Sequence, residues 1–179
     1  MVYNKKVAVL CNGPSRSAYD PNTEYAYRIG CNIPWTKVDC TVILDPQMAN
    51  LIASDRSLID CKIYFSDNAW EHVKDKSVFE DIFLGTIAKT KKGMSSGNMA
   101  CMKLVELGYK DIDIYGADAM TTSDIRSNNV TKSYTRKFLD SDGINMSPNW
   151  RTNWNRMIEQ YPDVKFNFIK GNGNVKELR

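Results

Sequence analysis

The sequence predicts an α/β fold: a Rossmann-like three-layer sandwich built on a mostly parallel sheet, with a short lid segment after the fifth strand. Three observations predict it. Short apolar runs bounded by turn residues, such as KKVAVLC at 5–11 and CTVIL at 40–44, suit strands buried on both faces of a parallel sheet. These runs alternate with stretches whose apolar residues recur at helical spacing. Several runs end in Asn, Asp, Gly or Pro, the residue types that would line a ligand crevice at the carboxyl edge of such a sheet.

Lys5–Cys11 is the first strand, and Asn12-Gly13-Pro14-Ser15 breaks it, since Gly13 tolerates a positive φ, Pro14 fixes its own φ and Ser15 can cap the next segment. Tyr25–Cys31, with Glu24 leading in, is the second strand and ends at Asn32. Cys40–Leu44 is the third and ends at Asp45-Pro46, where Pro46 is well placed as a first helical residue and Met48, Leu51 and Ile52 supply an apolar face. Asp60–Ser66 is the fourth strand, Asn68–Lys74 a helical turn or two, and Val78–Ile87 fits either a strand or a short helix. Ser95 and Ser96 are N-cap residues for a helix whose stripe is Ala100, Cys101, Leu104, Val105 and Gly108; Gly97 opens its first turn and Gly108 stops it. Asp111–Tyr115 is the fifth strand, left through Gly116-Ala117-Asp118. From Ala119 the chain is polar and basic, with Arg126, Lys132, Arg136 and Lys137 outweighing Asp124 and Asp140, and 119–146 reads as a lid-like insertion. Ser147-Pro148 opens a last helix with Trp150, Trp154, Met157 and Ile158 on one side. Val164–Ile169 is the final strand, and Gly171–Asn174 a flexible tail. Right-handed crossovers would place helices on both faces of the sheet.

The 179 residues read as one nucleotide-binding domain, 1–179, with 42% apolar and 25% charged residues placing it among ordinary globular chains. A net charge of +3 is too small to imply nucleic-acid binding, though it does not exclude it. The five cysteines lie in or beside apolar runs without C-x-x-C spacing, as expected of free buried thiols in a reducing cytoplasm. The first apolar run is too short for a signal peptide, and no run approaches the ~20 residues of a membrane span. The expectation is a soluble cytoplasmic protein.

Four strands end in residues that share a purpose: Asn12–Ser15, Gly30-Cys31-Asn32, Asp45-Pro46 and Gly116–Asp118. Ser95–Gly97, at the start of the helix feeding the fifth strand, adds amides that attract anions. Alone, each motif reads as a turn or cap. If the strands are parallel, all five gather at one rim and offer amide donors for phosphates, carboxamides for a base or sugar, and two carboxylates, which is what a nucleotide site needs. Asp111 and Asp113 lie inside the strand and read as edge or solvent-face positions. Trp150 and Trp154, at i and i+4, read as core anchors ahead of sugar platforms. The basic lid would either close over donor phosphates or remain a solvated loop.

NGPS at 12–15, GCN at 30–32, LDP at 44–46, SSG at 95–97 and LGYKDIDIYGAD at 107–118 keep order as well as type. Over about the first 120 residues the chain thereby resembles the bacterial sialyltransferases that use CMP-sialic acid, and their motility-associated and pterin-diphosphokinase-like relatives. The resemblance implies a Rossmann-like glycosyltransferase core with a nucleotide sugar as donor and an acceptor the sequence does not define. Asn12, Gly13 and Ser15 would hold the phosphate and ribose region, Asn32 would contact phosphate or sugar, and Ser95, Ser96 and Gly97 would bind the nucleotide from the helix N-terminus. Asp45 stands where those sialyltransferases carry an Asn that approaches the donor. Asp45 and Asp118 would then serve as catalytic carboxylates and would hold Mg²⁺ on a diphosphate; the alternative for Asp118 is a cap that hydrogen-bonds the Asn-Gly-Pro-Ser turn. Two departures stand out. The general-base His expected beyond the Gly-x-Asp strand is missing, since the one histidine is His72, upstream. The chain is also shorter, with a reduced lid. Mg²⁺-dependent diphosphate transfer to a small alcohol, and nucleotide binding without catalysis, are therefore the competing functions. The relatives often assemble through this core, which implies a homo-oligomer.

Overall fold

A computed structural model of the chain describes residues 4–88, 94–121, 126–127, 144–145 and 148–170. The strands are β1 (Val7–Leu10), β2 (Arg28–Cys31), β3 (Cys40–Ile43), β4 (Lys62–Ser66), β5 (Phe83–Ile87), β6 (Asp111–Tyr115), β7 (Arg126–Ser127), β8 (Ile144–Asn145) and β9 (Lys165–Phe168). The α-helices are α1 (Pro46–Ser54), α2 (Asp67–Glu71), α3 (Ser96–Glu106), α4 (Asp118–Thr121) and α5 (Pro148–Gln160). Short 3₁₀ turns cover Pro14–Ala18, Arg56–Leu58 and Lys76–Phe79.

One seven-stranded sheet has the order β5-β4-β3-β2-β1-β6-β9, and every pairing in it is parallel. The expected sheet was mostly parallel; the antiparallel β7–β8 pair stands apart as its own two-stranded ladder. The chain steps outward from β1 to β5, then returns through α3 to place β6 on the other side of β1. That reversal makes β1/β6 a topological switch point, where the connections leaving the two strand ends part and leave a crevice.

All four residues of β1 are buried, as a continuous VAVL run in a central parallel strand requires. Successive side chains of the strands alternate between the two faces of the sheet, where Ala8, Leu10 and Tyr115 form a small cluster of their own with Tyr25. Val7, Val9, Cys40, Val42, Ile112 and Ile114 pack with Met99, Cys101 and Leu104 of α3 and with Trp154 and Met157 of α5. On the opposite face Ile43, Ile63 and Phe65 pack with Met48, Ala49 and Ile52 of α1 and with Ala69 of α2. Helices thus cover both faces.

Two expectations need correction. Val78–Ile87 divides: Phe79 closes a 3₁₀ turn and is fully buried, while Phe83–Ile87 pairs with β4. The strand before the lid-like segment is therefore the sixth. A short apolar run has too few residues to show a period, so only pairing decides its state. Asp113 is neither at an edge nor at solvent, being 5% exposed. β9 pairs alongside β6 and makes it an interior strand. Tyr25 Oη donates to Asp113 Oδ2 at 2.7 Å, Lys6 Nζ lies 3.1 Å from the same oxygen, and Asn167 Nδ2 donates to both Asp111 and Asp113 at 2.8 Å. An alternating D-I-D pattern looks half-solvated from sequence, yet here its polar face is covered by other polar groups. Of the lid-like segment, 122–125, 128–143 and 146 lie outside the described residues, Lys132, Arg136 and Lys137 among them. The 171–174 tail lies outside them too.

Candidate functional site

The loop leaving β1 is bonded to the loop leaving β6. Cys11 N–H donates to Tyr115 O at 2.8 Å and Gly13 N–H to Gly116 O at 2.9 Å. Gly116 N–H donates to Ser15 Oγ at 2.9 Å, and Ser15 N–H donates to Asp118 Oδ1 at 3.0 Å. Asp118 is buried at the first turn of α4, and Thr121 Oγ1 also donates to it, at 3.3 Å. Of the two readings of Asp118, the geometry displays the hydrogen bond to the Asn-Gly-Pro-Ser turn. Gly13 has to be glycine: a Cβ there would overlap Asp118 Oδ2 and Gly116 O. Ser15, 5% exposed, spends both its N–H and its hydroxyl on this seam. Gly13 and Ser15 therefore shape the loop.

Asn12 and Asn32 close the next gap along the rim. Asn12 Nδ2 donates to Cys31 O at 3.0 Å, which ties the β1 exit to the β2 exit. Asn32 takes a left-handed backbone, φ 58°, among the few conformations where Asn replaces Gly at modest cost. Its backbone is fully used, with N–H to Val42 O at 3.0 Å and C=O accepting from Thr41 Oγ1 at 2.7 Å. Its side-chain Oδ1 is shielded from solvent and has no hydrogen-bond partner among the described residues.

Asp45 follows β3 at the N-cap of α1, is exposed, and makes no side-chain capping bond. It shares the rim with Asp118 but not its position. β3 and β6 are three places apart in the sheet, about 14 Å at a strand spacing of ~4.8 Å. Asp118 is held on Ser15 and Thr121, so the two carboxylates do not converge on one ion, and no three metal-binding side chains cluster among the described residues. A Mg²⁺ ion shared by Asp45 and Asp118 does not fit this geometry.

At the start of α3, Ser95 forms a capping box with Asn98: Asn98 N–H donates to Ser95 Oγ at 3.2 Å, and Ser95 N–H donates to Asn98 Oδ1 at 3.1 Å. Gly97 brings this helix end against β1, where a Cβ would lie 2.7 Å from Cys11 Sγ and 2.9 Å from Trp154 Cζ2. Packing explains that glycine, while its N–H stays in the first turn. Trp154 is a core anchor at 2% exposure, and Trp150 is half-buried beside the same core. His72 is exposed at the end of α2, with Nδ1 2.8 Å from Asn68 O.

Sequence reasoning passed over two cations at this rim. Arg16 stacks over the Trp35 ring at 5.1 Å, and Trp35 Nε1 donates to Cys11 O at 3.0 Å. Arg151 of α5 donates from Nε to Ala119 O at 2.6 Å. Adjacency to the Asn-Gly-Pro-Ser motif could have flagged Arg16. Nothing local points to Arg151, which meets α4 only because α5 folds back across the sheet.

No family model matches the chain, and no curated protein matches it by sequence. In fold it is similar to the sialyltransferase CstII from Campylobacter jejuni, solved in complex with a substrate analogue, CMP-3FNeuAc: TM-score 0.58 and 16% identity, covering 97% of this chain and 85% of that one. The same enzyme in complex with cytidine-5'-monophosphate gives a TM-score of 0.56 at 16% identity, covering 99% and 85%. Its complex with a trisaccharide acceptor and CMP gives 0.54 at 14%, covering 97% and 84%. At such identities the likeness establishes a shared fold.

Proposed function

We propose that this chain binds a nucleotide at the carboxyl edge of β1, β2 and β6, and that it acts as a small glycosyltransferase on a nucleotide-sugar donor. The observation that carries this reading is Asn32. A left-handed residue at the exit of β2, one strand from the switch point, holds a buried carbonyl oxygen with no donor among the described residues, and a ligand hydroxyl or amine would complete it. The orphan atom is an acceptor, so this side chain suits a ribose or sugar hydroxyl or a base amine, and the α3 N-terminus suits the phosphate. Asn12 and the Asp118–Ser15 seam fix the loop between them. Asp45, an exposed carboxylate with no side-chain partner among the described residues, is the candidate base. Catalysis would rest on orientation and on stabilising the leaving phosphate's charge.

Thermal denaturation with CMP, UMP, AMP and their sugar conjugates, with and without Mg²⁺, tests the reading. A ligand at 100 times its Kd adds about 2.7 kcal/mol, worth roughly 5–10 °C for a chain of this size. We expect that rise with one base, its loss by about tenfold in affinity in Asn32→Ala, and donor hydrolysis that survives EDTA and falls in Asp45→Ala. No shift with any nucleotide would refute it, and strict dependence on Mg²⁺ would favour diphosphate transfer. Nucleotide binding without catalysis is the second reading, favoured because the one histidine sits exposed at the end of α2. Tight binding with no turnover over hours would decide for it.

A further inference from the structure

The first turn of α3 holds a group that its capping box leaves unexplained. Asn98 is 0% exposed, and its Nδ2 has no hydrogen-bond partner among the described residues. The orientation of the carboxamide is not arbitrary. Its other atom accepts from Ser95 N–H at 3.1 Å and from Ser95 Oγ at 2.9 Å, so that atom is the oxygen and the orphan is the NH₂ donor. These bonds hold the side chain against the N-cap, at the mouth of an eleven-residue helix. Two backbone donors belong to the same turn. The N–H groups of Ser96 and Gly97 are the first two of the helix, and helix geometry provides them no intrahelical acceptor. A folded chain does not leave a buried amide donor empty without cost, and an acceptor arriving with a ligand resolves it.

We propose that Asn98 is a specificity-determining residue that donates from Nδ2 to a phosphate oxygen of the nucleotide, alongside the N–H groups of Ser96 and Gly97. The proposal rests on the nucleotide reading above. It divides the ligand between two asparagines of opposite polarity: Asn32 presents an acceptor to a hydroxyl or amine, and Asn98 presents a donor to an anion. It also gives Asn98 two separable tasks. The oxygen caps the helix, and the nitrogen reads the ligand.

Asn98→Asp separates them. The substitution keeps an oxygen for Ser95 N–H, places a negative charge where the helix dipole favours one, and replaces the donor with a charge that repels phosphate. Calorimetric titration of the full chain with CMP and with cytidine reads the result. Asn98→Asp should weaken CMP at least tenfold and change cytidine less than twofold, while its far-ultraviolet spectrum stays that of the parent. In the parent protein, the assigned Asn98 side-chain amide resonances should shift on adding CMP and stay in place with cytidine, a readout independent of how any variant folds. Equal CMP affinity in the parent and Asn98→Asp, equal losses for CMP and cytidine, or resonances that ignore CMP would each overturn the proposal. If the parent binds none of CMP, UMP and AMP by either method, the nucleotide reading itself has failed. If it binds CMP and Asn98→Asp does so equally well, only the role of Asn98 has.

Discussion

A Cβ on Gly13 has nowhere to go. The Asp118 carboxylate and Gly116 O occupy the space, and both belong to the seam that joins the β1 and β6 exits. Gly13→Ala must push the seam apart and leave Ser15 N–H, now buried, without Asp118. Overpacking and a lost buried bond together should cost about 2–4 kcal/mol, read as a lower urea midpoint with an unchanged slope. A destabilisation under 1 kcal/mol would mean the loop relaxes freely and the seam does not fix it. Asp113 shows how far such satisfaction can lie from local sequence. Its partners Lys6, Tyr25 and Asn167 come from three separate parts of the chain, so no local pattern could announce that it would be satisfied indoors. Burial, with hydrogen bonds to Tyr115 and Asp113, pushes the Tyr25 phenol well above its usual range.

Among the elements, α5 depends most on its neighbours. Its sequence, PNWRTNWNRMIEQ, is mostly polar, and Trp154 and Met157 are its buried apolar residues. The Trp154 ring meets Phe168 of β9 edge-on at 5.2 Å and lies against Gly97 of α3. A helix of this length is marginal on propensity alone, so tertiary packing must hold it. Trp154→Ala should cost about 3–5 kcal/mol and reduce the helical far-ultraviolet signal near the transition before the sheet melts. A loss below 1.5 kcal/mol would show that α5 does not rely on this anchor. The periodicity of this helix, Pro46 at the start of α1 and the cap of α3 were readable from sequence, because those features are local. The identity of β5 was not, because a strand is defined by the neighbour it pairs with.

Over the whole molecule, all five cysteines are free and buried. Burial pushes the Cys40 thiol from 9.0 up to about 12 and Cys61 up to about 11. The hydrogen bond with Cys11, together with burial, raises Cys31 well above 9.0, and burial does the same for Cys101. These folded values lie above the unfolded one, so the stability they hold is fully present below about pH 9. It is lost as pH climbs through about 11 for Cys61 and about 12 for Cys40. Unfolding free energies from urea titrations should hold from pH 7 to 8.5 and then fall, by about 2 kcal/mol at pH 10.5 for a thiol such as Cys40 alone. Iodoacetamide at pH 8 should leave the native chain unmodified and label it fully once unfolded. Rapid native labelling, or a midpoint that rises with pH, would contradict this burial. The fold class, the buried strands and the rim motifs were legible in the sequence itself. Apolar runs, caps and turn residues act over a few positions, and parallel strands necessarily carry all their exits to one edge. Only the tertiary structure decided which of those exits meet. Strand order sets β6 beside β1 and β3 three places away, so Asp118 joins the Asn-Gly-Pro-Ser turn while Asp45 stands apart. That order depends on which strands pair across long stretches of chain, a collective free energy that no single stretch encodes.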